Sequence, residues 1–337
     1  MRSLVVAMLD ERWNHADLPR KLTNGTESWV YALKGDFHGP TLPSLNTLAS
    51  YNLIIANLNP PLIKHYAEVI HQKPAGLKWV SLVEGCGTDY YDPSPELLHV
   101  LNHSDLVVNI NRLTTDYLQR LTTTKTEWIG IPYDFERISQ FQTPLQDRRA
   151  EIFICPRAHK HPSVVVAEAL GLTVKTYFRA TSRKPRNLPL FIKHGYYKKD
   201  LAMQSWLKSP SQVQRVGALE TNLTSLWRDA GGSKLWINLD PRFTWGRWVL
   251  DAAALRVPII TTESTGNGAD LFPQTTVRDI FAVEEAIEIG KRLLADPEFA
   301  REVSDCAYER LCHYGPEATV ARLYSAIHNA KDRNGAP

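Results

Sequence analysis

The first half of the chain contains short, continuous apolar runs separated by polar segments with glycine and proline. These runs cover residues 4–9, 53–58, 79–83, 106–110 and 128–131. Continuous runs of this length are typical of strands buried on both faces, and residues 93–102 and 113–121 between them have helical spacing. The alternation predicts an open, doubly wound α/β sheet, whose ligands lie beyond the carboxyl ends of the strands.

The second half of the chain repeats this alternation. The predicted elements are a strand and basic turn within 151–162, helices at 163–170 and 223–230, a strand at 234–238, and helices at 283–294, 297–312 and 317–330. A polar, proline-containing stretch at 142–149 indicates a linker. We therefore predict domains at residues 1–145 and 146–312, followed by residues 313–337 as a helix that crosses back to the first domain and a frayed tail.

Residues 238–262 form the most informative segment, with the pattern of a strand end, a loop, a helix, a turn and a new strand. Apolar residues recur there at helical spacing, at Trp245, Trp248, Val249, Ala252 and Leu255. The loop before the helix leaves backbone N–H groups at the helix start, where they favour an anionic or hydroxyl-rich ligand. Asp251 lies within the helix, where its carboxylate would accept hydrogen bonds from sugar hydroxyls.

This segment resembles the donor site of GT-B glycosyltransferases, above all the group-1 retaining family (family 4). Trp245-Gly246 stands where that family has Phe-Gly, and Leu250-Asp251-Ala252 stands for Leu-Glu-Ala. The resemblance covers most of residues 106–270. It implies a GT-B fold, with two Rossmann-like, doubly wound domains facing each other across a cleft. It also implies transfer of a sugar from a nucleoside-diphosphate sugar to a hydroxyl acceptor, with retention and without a metal or a cofactor.

The resemblance assigns residues to the donor site. Asp251 would bind the nucleotide ribose, and its alternative role is a surface pair with Arg247 one helical turn away. Phe243 occupies the position of the family's first carboxylate, and Asp240 is the nearest acid that would replace it. The other donor-binding candidates are Thr244, Trp245, Gly246, Arg247 and Gly217.

The catalytic and acceptor-side candidates lie in loops that follow predicted strands. Arg157 and Lys160 would stabilise the diphosphate, whose charge grows as the sugar bond breaks, and the alternative is a solvated basic turn. Glu84 follows the strand at 79–83, where it would position the acceptor or act as a general base if the reaction inverts; a structural role is the alternative. The acceptor-side candidates are Asp10, Glu11 and Asn59.

A basic segment between Lys175 and Lys199 contains eight lysines or arginines and no acid, interleaved with aromatic residues. This composition suits a polyanionic partner, either nucleic acid or an anionic membrane surface, and the alternative is a solvated face with core aromatics. Residues 258–266 also resemble a Pro and Ser-Thr-Gly run in the donor region of phage DNA α-glucosyltransferases. A DNA-base glycosyltransferase therefore stays open, as do an epimerase, a phosphorylase and a non-catalytic GT-B relative.

Composition narrows these alternatives only a little. The net charge of the 337 residues is +3, which by itself implies no polyanionic partner. The four cysteines have no metal-like spacing, and we expect free thiols and no metal site. No G-x-G-x-x-G motif occurs, which disfavours a dinucleotide-dependent dehydrogenase. The apolar run at the N-terminus is too short for a signal peptide, so we expect a cytoplasmic protein, with a peripheral membrane location as the alternative.

Overall fold

A computed structural model describes residues 2–7, 12–16, 25–84, 92–155, 160–178, 213–218 and 223–333. The chain forms two compact units. The first combines Met1–Asp134, Arg242–Arg247 and Arg310–Pro337, and the second combines Phe135–Pro241 and Trp248–Glu309. The first segment of the first unit therefore ends at Asp134 and not at residue 145. The first unit also includes the last helix of the chain.

A seven-stranded sheet forms the centre of the first unit. Its strands are β1 (Ser3–Val6), β2 (Arg12–Asn14), β3 (Asp36–His38), β4 (Leu53–Asn57), β5 (Lys78–Val83), β6 (Leu106–Asn109) and β7 (Thr126–Trp128). Their order is β2-β3-β1-β4-β5-β6-β7, and every neighbouring pair is parallel except β2 with β3. The winding direction reverses between β1 and β4, because the chain proceeds from β1 towards β3 on one side and from β4 towards β5 on the other.

Among the described residues, six helices accompany this sheet: α1 (Ser28–Leu33), α2 (Leu45–Leu48), α3 (Pro60–Val69), α4 (Pro95–His103), α5 (Thr115–Leu121) and, near the end of the chain, α13 (Pro316–Arg333). The sequence dictates where α4 begins, because Ser94 accepts a hydrogen bond from the amide of Leu97 at 3.1 Å and Pro95 occupies the first helical position. The last helix, α13, packs against α1 and β6. The core contains the fully buried, edge-to-face pair of Tyr66 and Trp79, with ring centroids 5.6 Å apart.

The second unit contains a six-stranded, entirely parallel sheet. Its strands are β8 (Arg149–Ile154), β9 (Thr173–Phe178), β10 (Val213–Ala218), β11 (Ser233–Asn238), β12 (Ile259–Thr262) and β13 (Thr276–Val277). The order β10-β9-β8-β11-β12-β13 is the 3-2-1-4-5-6 order of Rossmann sheets. The winding direction therefore reverses between β8 and β11, and ligands of such sheets bind beyond the carboxyl ends at this switch point.

The helices of the second unit are α6 (Phe135–Ser139), α7 (Lys160–Ala169), α8 (Leu223–Gly231), α9 (Arg247–Ala254), α10 (Gly268–Leu271), α11 (Val283–Ala295) and α12 (Pro297–Arg310). All residues of α9 after Arg247 are buried. Trp248 contacts the core rings of Phe153 and Trp236, with centroids 6.3 and 6.4 Å apart. The helix that contains Asp251 is therefore a core element of this unit.

Two predicted elements need correction. The strand predicted at residues 128–131 is observed as Thr126–Trp128, because the chain leaves the sheet at Gly130, whose φ of 83° breaks the extended backbone. The helix predicted at 113–121 begins at Thr115, after the 3-10 turn Arg112–Thr114. That turn forms because the Asn111 side chain accepts a hydrogen bond from the amide of Leu113 at 2.9 Å.

Candidate functional site

The switch point of the first unit contains a hydrogen-bonded polar cluster. Asn57 ends β4, Glu84 follows β5, and Thr26 lies just before α1, so three separate chain segments meet there. Thr26 and Asn57 are buried, with 2% and 1% exposure, whereas Glu84 is partly exposed. We call Thr26, Asn57 and Glu84 the Glu84 cluster.

Hydrogen bonds fix the Glu84 carboxylate in one orientation. The Thr26 hydroxyl and the Asn57 Nδ2 group both donate to Oε2, and Asn57 Nδ2 also contacts the Thr26 hydroxyl oxygen. Asn59, the residue before α3, donates from Nδ2 to Asn57 Oδ1 at 2.6 Å and so orients the amide. No described residue forms a hydrogen bond with Oε1. Two donors on one oxygen leave the other to accept a hydrogen bond from a ligand.

Glu84 and Asn59 are among the site residues predicted from the sequence, and Thr26 is not. In the sequence, Thr26 belongs only to an N-glycosylation acceptor pattern, Asn24-Gly25-Thr26, which does not mark it as a site residue. A positional signal existed, since the loop before the first crossover helix of a doubly wound sheet lies beside the switch point. The acceptor-side candidates Asp10 and Glu11 lie outside the described residues.

A second polar group in the first unit anchors the predicted donor loop, residues 242–247. Asn109, the last residue of β6, donates to the Asn111 carbonyl at 2.6 Å, and Asn111 donates to the Thr244 carbonyl at 2.8 Å. Trp245 packs edge-to-face on Tyr133, with ring centroids 5.8 Å apart. The donor loop was predicted to belong to the second domain, yet its contacts group it with the first unit.

Two glycines shape the donor loop and its surroundings. Gly246 has a φ of 69°, which an L side chain rarely adopts, and its amide donates to the Thr244 hydroxyl at 3.3 Å. Gly130 lies against Trp245, because a Cβ atom at Gly130 would be 3.3 Å from the indole Nε1 atom. The local backbone conformation therefore favours glycine at position 246, and the side chain of Trp245 packs closely against Gly130.

The switch point of the second unit brings together two predicted donor-binding acids. Asp240 follows β11 with 2% exposure, and Asp251 on α9 has 0% exposure. The indole Nε1 group of Trp227 donates to Asp251 Oδ2 at 3.1 Å. Because Asp251 is fully buried, the alternative prediction that it forms an exposed surface pair with Arg247 is wrong.

Cys155, the residue after β8, lies beside these two acids. Burial raises the pKa of the Cys155 thiol well above its usual value, and the negative charges of Asp251 and Asp240 raise it further. The thiol is therefore protonated at neutral pH and is a poor nucleophile. The Asp240 carbonyl accepts hydrogen bonds from the hydroxyls of Thr262, at 2.6 Å, and Ser264, which join the ends of β11 and β12.

The other predicted residues are placed only in part. Lys160 is the first residue of α7 and Gly217 lies in the edge strand β10, while Arg157 lies outside the described residues. Lys175 is buried in β9 and pairs with Asp229 at 2.8 Å and Glu151 at 3.3 Å. It therefore does not belong to a free basic surface, and residues 179–199 of that segment lie outside the described part of the chain.

No family model and no curated protein sequence matches the chain. Among solved structures, the E. coli trehalose-6-phosphate protein bound with UDP-2-fluoro glucose matches with a TM-score of 0.70 at 10% identity, over 97% of this chain and 99% of that chain. A UDP-forming trehalose-phosphate synthase from Burkholderia xenovorans matches with a TM-score of 0.64 at 12% identity, over 94% of this chain and 82% of that chain.

An α-glucosyltransferase in complex with UDP-glucose and DNA containing an abasic site matches with a TM-score of 0.60 at 10% identity, over 97% of this chain and 98% of that chain. The chain has the GT-B fold. The prediction of two Rossmann-like α/β domains is thereby confirmed. In this GT-B protein, no helix among the described residues is long and apolar enough to cross a membrane. Those residues also contain no group of three or more His, Cys, Asp or Glu arranged to hold a metal ion.

Proposed function

We propose that this GT-B protein transfers a sugar from a nucleoside-diphosphate sugar to a hydroxyl group of an acceptor, with retention and without a metal ion. The observation that supports this most directly is the pair of buried acids, Asp240 and Asp251, at the switch point of a Rossmann sheet. Ligands of such sheets bind at this switch point, and the hydroxyls of a ribose or a sugar donate hydrogen bonds that carboxylates accept. Similar GT-B structures hold UDP-glucose or UDP-2-fluoro glucose.

The donor-binding roles follow from this proposal. Asp251 accepts hydrogen bonds from the ribose, and Asp240 replaces the family's first carboxylate near the sugar. Arg157 and Lys160 stabilise the leaving diphosphate, on which negative charge develops as the glycosidic bond breaks. The backbone of the donor loop, with Gly217 and the Arg247 side chain, contributes further contacts to the donor.

The acceptor role falls to the Glu84 cluster. Its partly exposed carboxylate has one oxygen fixed by Thr26 and Asn57, so the other oxygen accepts a hydrogen bond from the acceptor hydroxyl. In a retaining reaction the proton passes to the departing diphosphate, and Glu84 positions the attacking oxygen. In an inverting reaction Glu84 would take the proton itself, and the product anomer distinguishes the two.

The test is a panel of nucleotide sugars screened by thermal shift, followed by product analysis with polyhydroxyl acceptors. A donor present at about a hundredfold excess over its Kd should raise stability by about 2.7 kcal/mol. Formation of a glycosylated acceptor together with free nucleoside diphosphate supports the proposal. Stabilisation without any transfer or hydrolysis would identify a non-catalytic binding protein, and turnover of the donor alone would identify an epimerase.

A DNA acceptor is the second candidate, favoured by the likeness to the DNA-bound α-glucosyltransferase. The basic segment between Lys175 and Lys199 would then contribute phosphate contacts through residues such as Arg183, Lys184 and Arg186. Changing these three residues to Ser should flatten the plot of log affinity against log salt by up to about three units. The absence of DNA binding at low salt would leave a small or oligosaccharide acceptor.

A further inference from the structure

A cavity in the second unit is lined by residues from three segments of the chain. Its volume is about 400 Å³, within the usual size range for small-molecule sites. Its walls come from the segment before β8, the turn after α9, and α12: Gln142, Thr143, Pro144, Leu145, Gln146, Arg148, Arg256, Ala300, Arg301, Ser304 and Asp305. We call it the arginine pocket.

Charge in the arginine pocket is unbalanced. Three arginines face it against one aspartate, and Asp305 is already paired with Arg256. Arg256 is held further by the ring of Tyr308, 4.0 Å from its guanidinium carbon. Arg301 is exposed and forms no hydrogen bond or ion pair with any described residue. The pocket therefore has positive charge for which the described residues supply no counter-charge.

Arg148 is the buried cation of this pocket, with 8% exposure. Its Nε group donates to the Thr143 carbonyl at 3.0 Å, and its Nη2 group donates to the Arg256 carbonyl at 2.8 Å. Among the described residues, its Nη1 group has no hydrogen-bond partner. Burial lowers the pKa of Arg148 to about 10, partly offset by the charge of Asp305, so the guanidinium stays protonated at neutral pH.

The orientation of Arg148 is fixed before any ligand binds. Its Nη2 group also lies 3.5 Å from the Leu255 carbonyl, and Gln142 donates to the Ala254 carbonyl at 2.8 Å. These side chains therefore satisfy the carbonyl groups at the C-terminal end of α9, where a cation is favoured by the helix dipole. A guanidinium held in this way loses little freedom when it binds an anion.

We propose that the arginine pocket binds the phosphate group of a small phosphomonoester or of inorganic phosphate. Arg148 Nη1 and the Arg301 guanidinium donate to the phosphate oxygens, and the amides of Gln142 and Gln146 line the remaining volume. Arg301 suits this role because the planar fork of its guanidinium matches two oxygens of a phosphate, and Arg148 adds the charged Nη1 donor. Since the pocket exceeds the size of a phosphate ion, a phosphomonoester with an organic group binds more tightly than phosphate alone.

The experiment measures binding of inorganic phosphate and of phenyl phosphate to the full chain by calorimetry, with chloride keeping the ionic strength constant. Arg301→Gln should raise the Kd of both probes about tenfold, because it removes a charged hydrogen bond. Arg278→Gln is the matched control, since Arg278 is an exposed arginine of the same unit outside the pocket. It should leave both Kd values unchanged.

A second variant tests the buried cation. Arg148→Lys keeps the charge but removes the Nη1 donor and the guanidinium that the carbonyl groups orient, and circular dichroism checks that the fold is retained. It should raise the Kd of phenyl phosphate at least as much as Arg301→Gln does. An unchanged Kd in Arg301→Gln would overturn the proposal, as would equal losses in Arg301→Gln and Arg278→Gln or equal binding of chloride and phosphate.

Discussion

Each of the two sheets of this protein has an acid near its switch point, and the two acids lie in different surroundings. Glu84 in the first unit is partly exposed and accepts hydrogen bonds from Thr26 and Asn57. Asp251 in the second unit is fully buried and accepts a hydrogen bond from Trp227. Small polar residues therefore hold the first acid, and the indole of a buried tryptophan holds the second.

The different surroundings of Glu84 and Asp251 predict different roles for the two acids. A partly exposed carboxylate with one fixed oxygen suits a substrate that enters and leaves, because solvent water stabilises the charged carboxylate until the substrate binds. A fully buried carboxylate gains more from each hydrogen bond that a ligand donates, because the local dielectric is low. We therefore expect Glu84 to affect turnover and Asp251 to affect affinity for the nucleotide.

The largest effect expected is that of Glu84→Gln. This change keeps the shape but removes the charge that binds the acceptor hydroxyl, so kcat should fall about 100-fold while the KM for the donor stays constant. Steady-state kinetics with the donor identified by the screen provide the measurement. Glu68→Gln, at an exposed acid of the same unit, should behave as wild type. Normal turnover in Glu84→Gln would remove Glu84 from the site.

Asp251→Asn tests the role of the buried acid in the second unit. Loss of a charged acceptor should weaken nucleotide binding by about 1–3 kcal/mol, measured by calorimetry. The surface variant Asp279→Asn in the same unit is the control. If the nucleotide affinity of a folded Asp251→Asn protein matched that of wild type, the buried acid would have a structural role only.

An acid at the opposite, amino end of the first sheet should affect stability and not activity. Burial by itself raises the pKa of Asp105, but hydrogen bonds from Lys73, Lys78 and the Trp79 amide outweigh it and hold the pKa below its usual value. Asp105→Asn should therefore lower the free energy of unfolding by about 1–2 kcal/mol at pH 7. Because the folded pKa is depressed, this contribution exists above the unfolded pKa and is lost as the pH falls through the folded pKa.

Denaturant unfolding of wild type and Asp105→Asn between pH 7 and pH 2 checks this prediction. The difference between the two proteins should shrink below about pH 4. A difference that stayed constant over the whole range would show that the charge of Asp105 contributes nothing to stability.

The smallest effect expected is that of Gly246→Ala in the donor loop. Its φ of 69° makes an alanine there unfavourable by about 1 kcal/mol. Gly76→Ala is a matched control, because Gly76 has a φ of 86° and open space around it. Both variants should lose similar stability, and only Gly246→Ala should bind the donor more weakly. Equal donor affinity in the two variants would exclude the loop from the donor site.

Local sequence patterns were sufficient to predict most elements of the fold. Continuous apolar runs identified β1, β4, β5 and β6, and helical spacing identified α9 together with the position of Asp251 in it. The predicted position of β7 lies too far along the chain, because the apolar run of residues 128–131 continues beyond Gly130, where the chain turns out of the sheet. An apolar pattern indicates which residues are buried, and residues that follow a strand can be buried too. The pattern alone therefore does not show where the strand ends.

Local sequence was enough to predict the α/β fold class, the order of the elements and the segment that resembles a donor site, because each of these depends on residues close together in the chain. Which side chains contact one another depends on the tertiary structure. Thr26 and Asn57 reach Glu84 across 58 and 27 residues of chain, and the donor loop joins the first unit through Asn111, 133 residues before Thr244. No periodicity encodes such pairs, since the sheet order brings the loops together at the carboxyl ends of the strands.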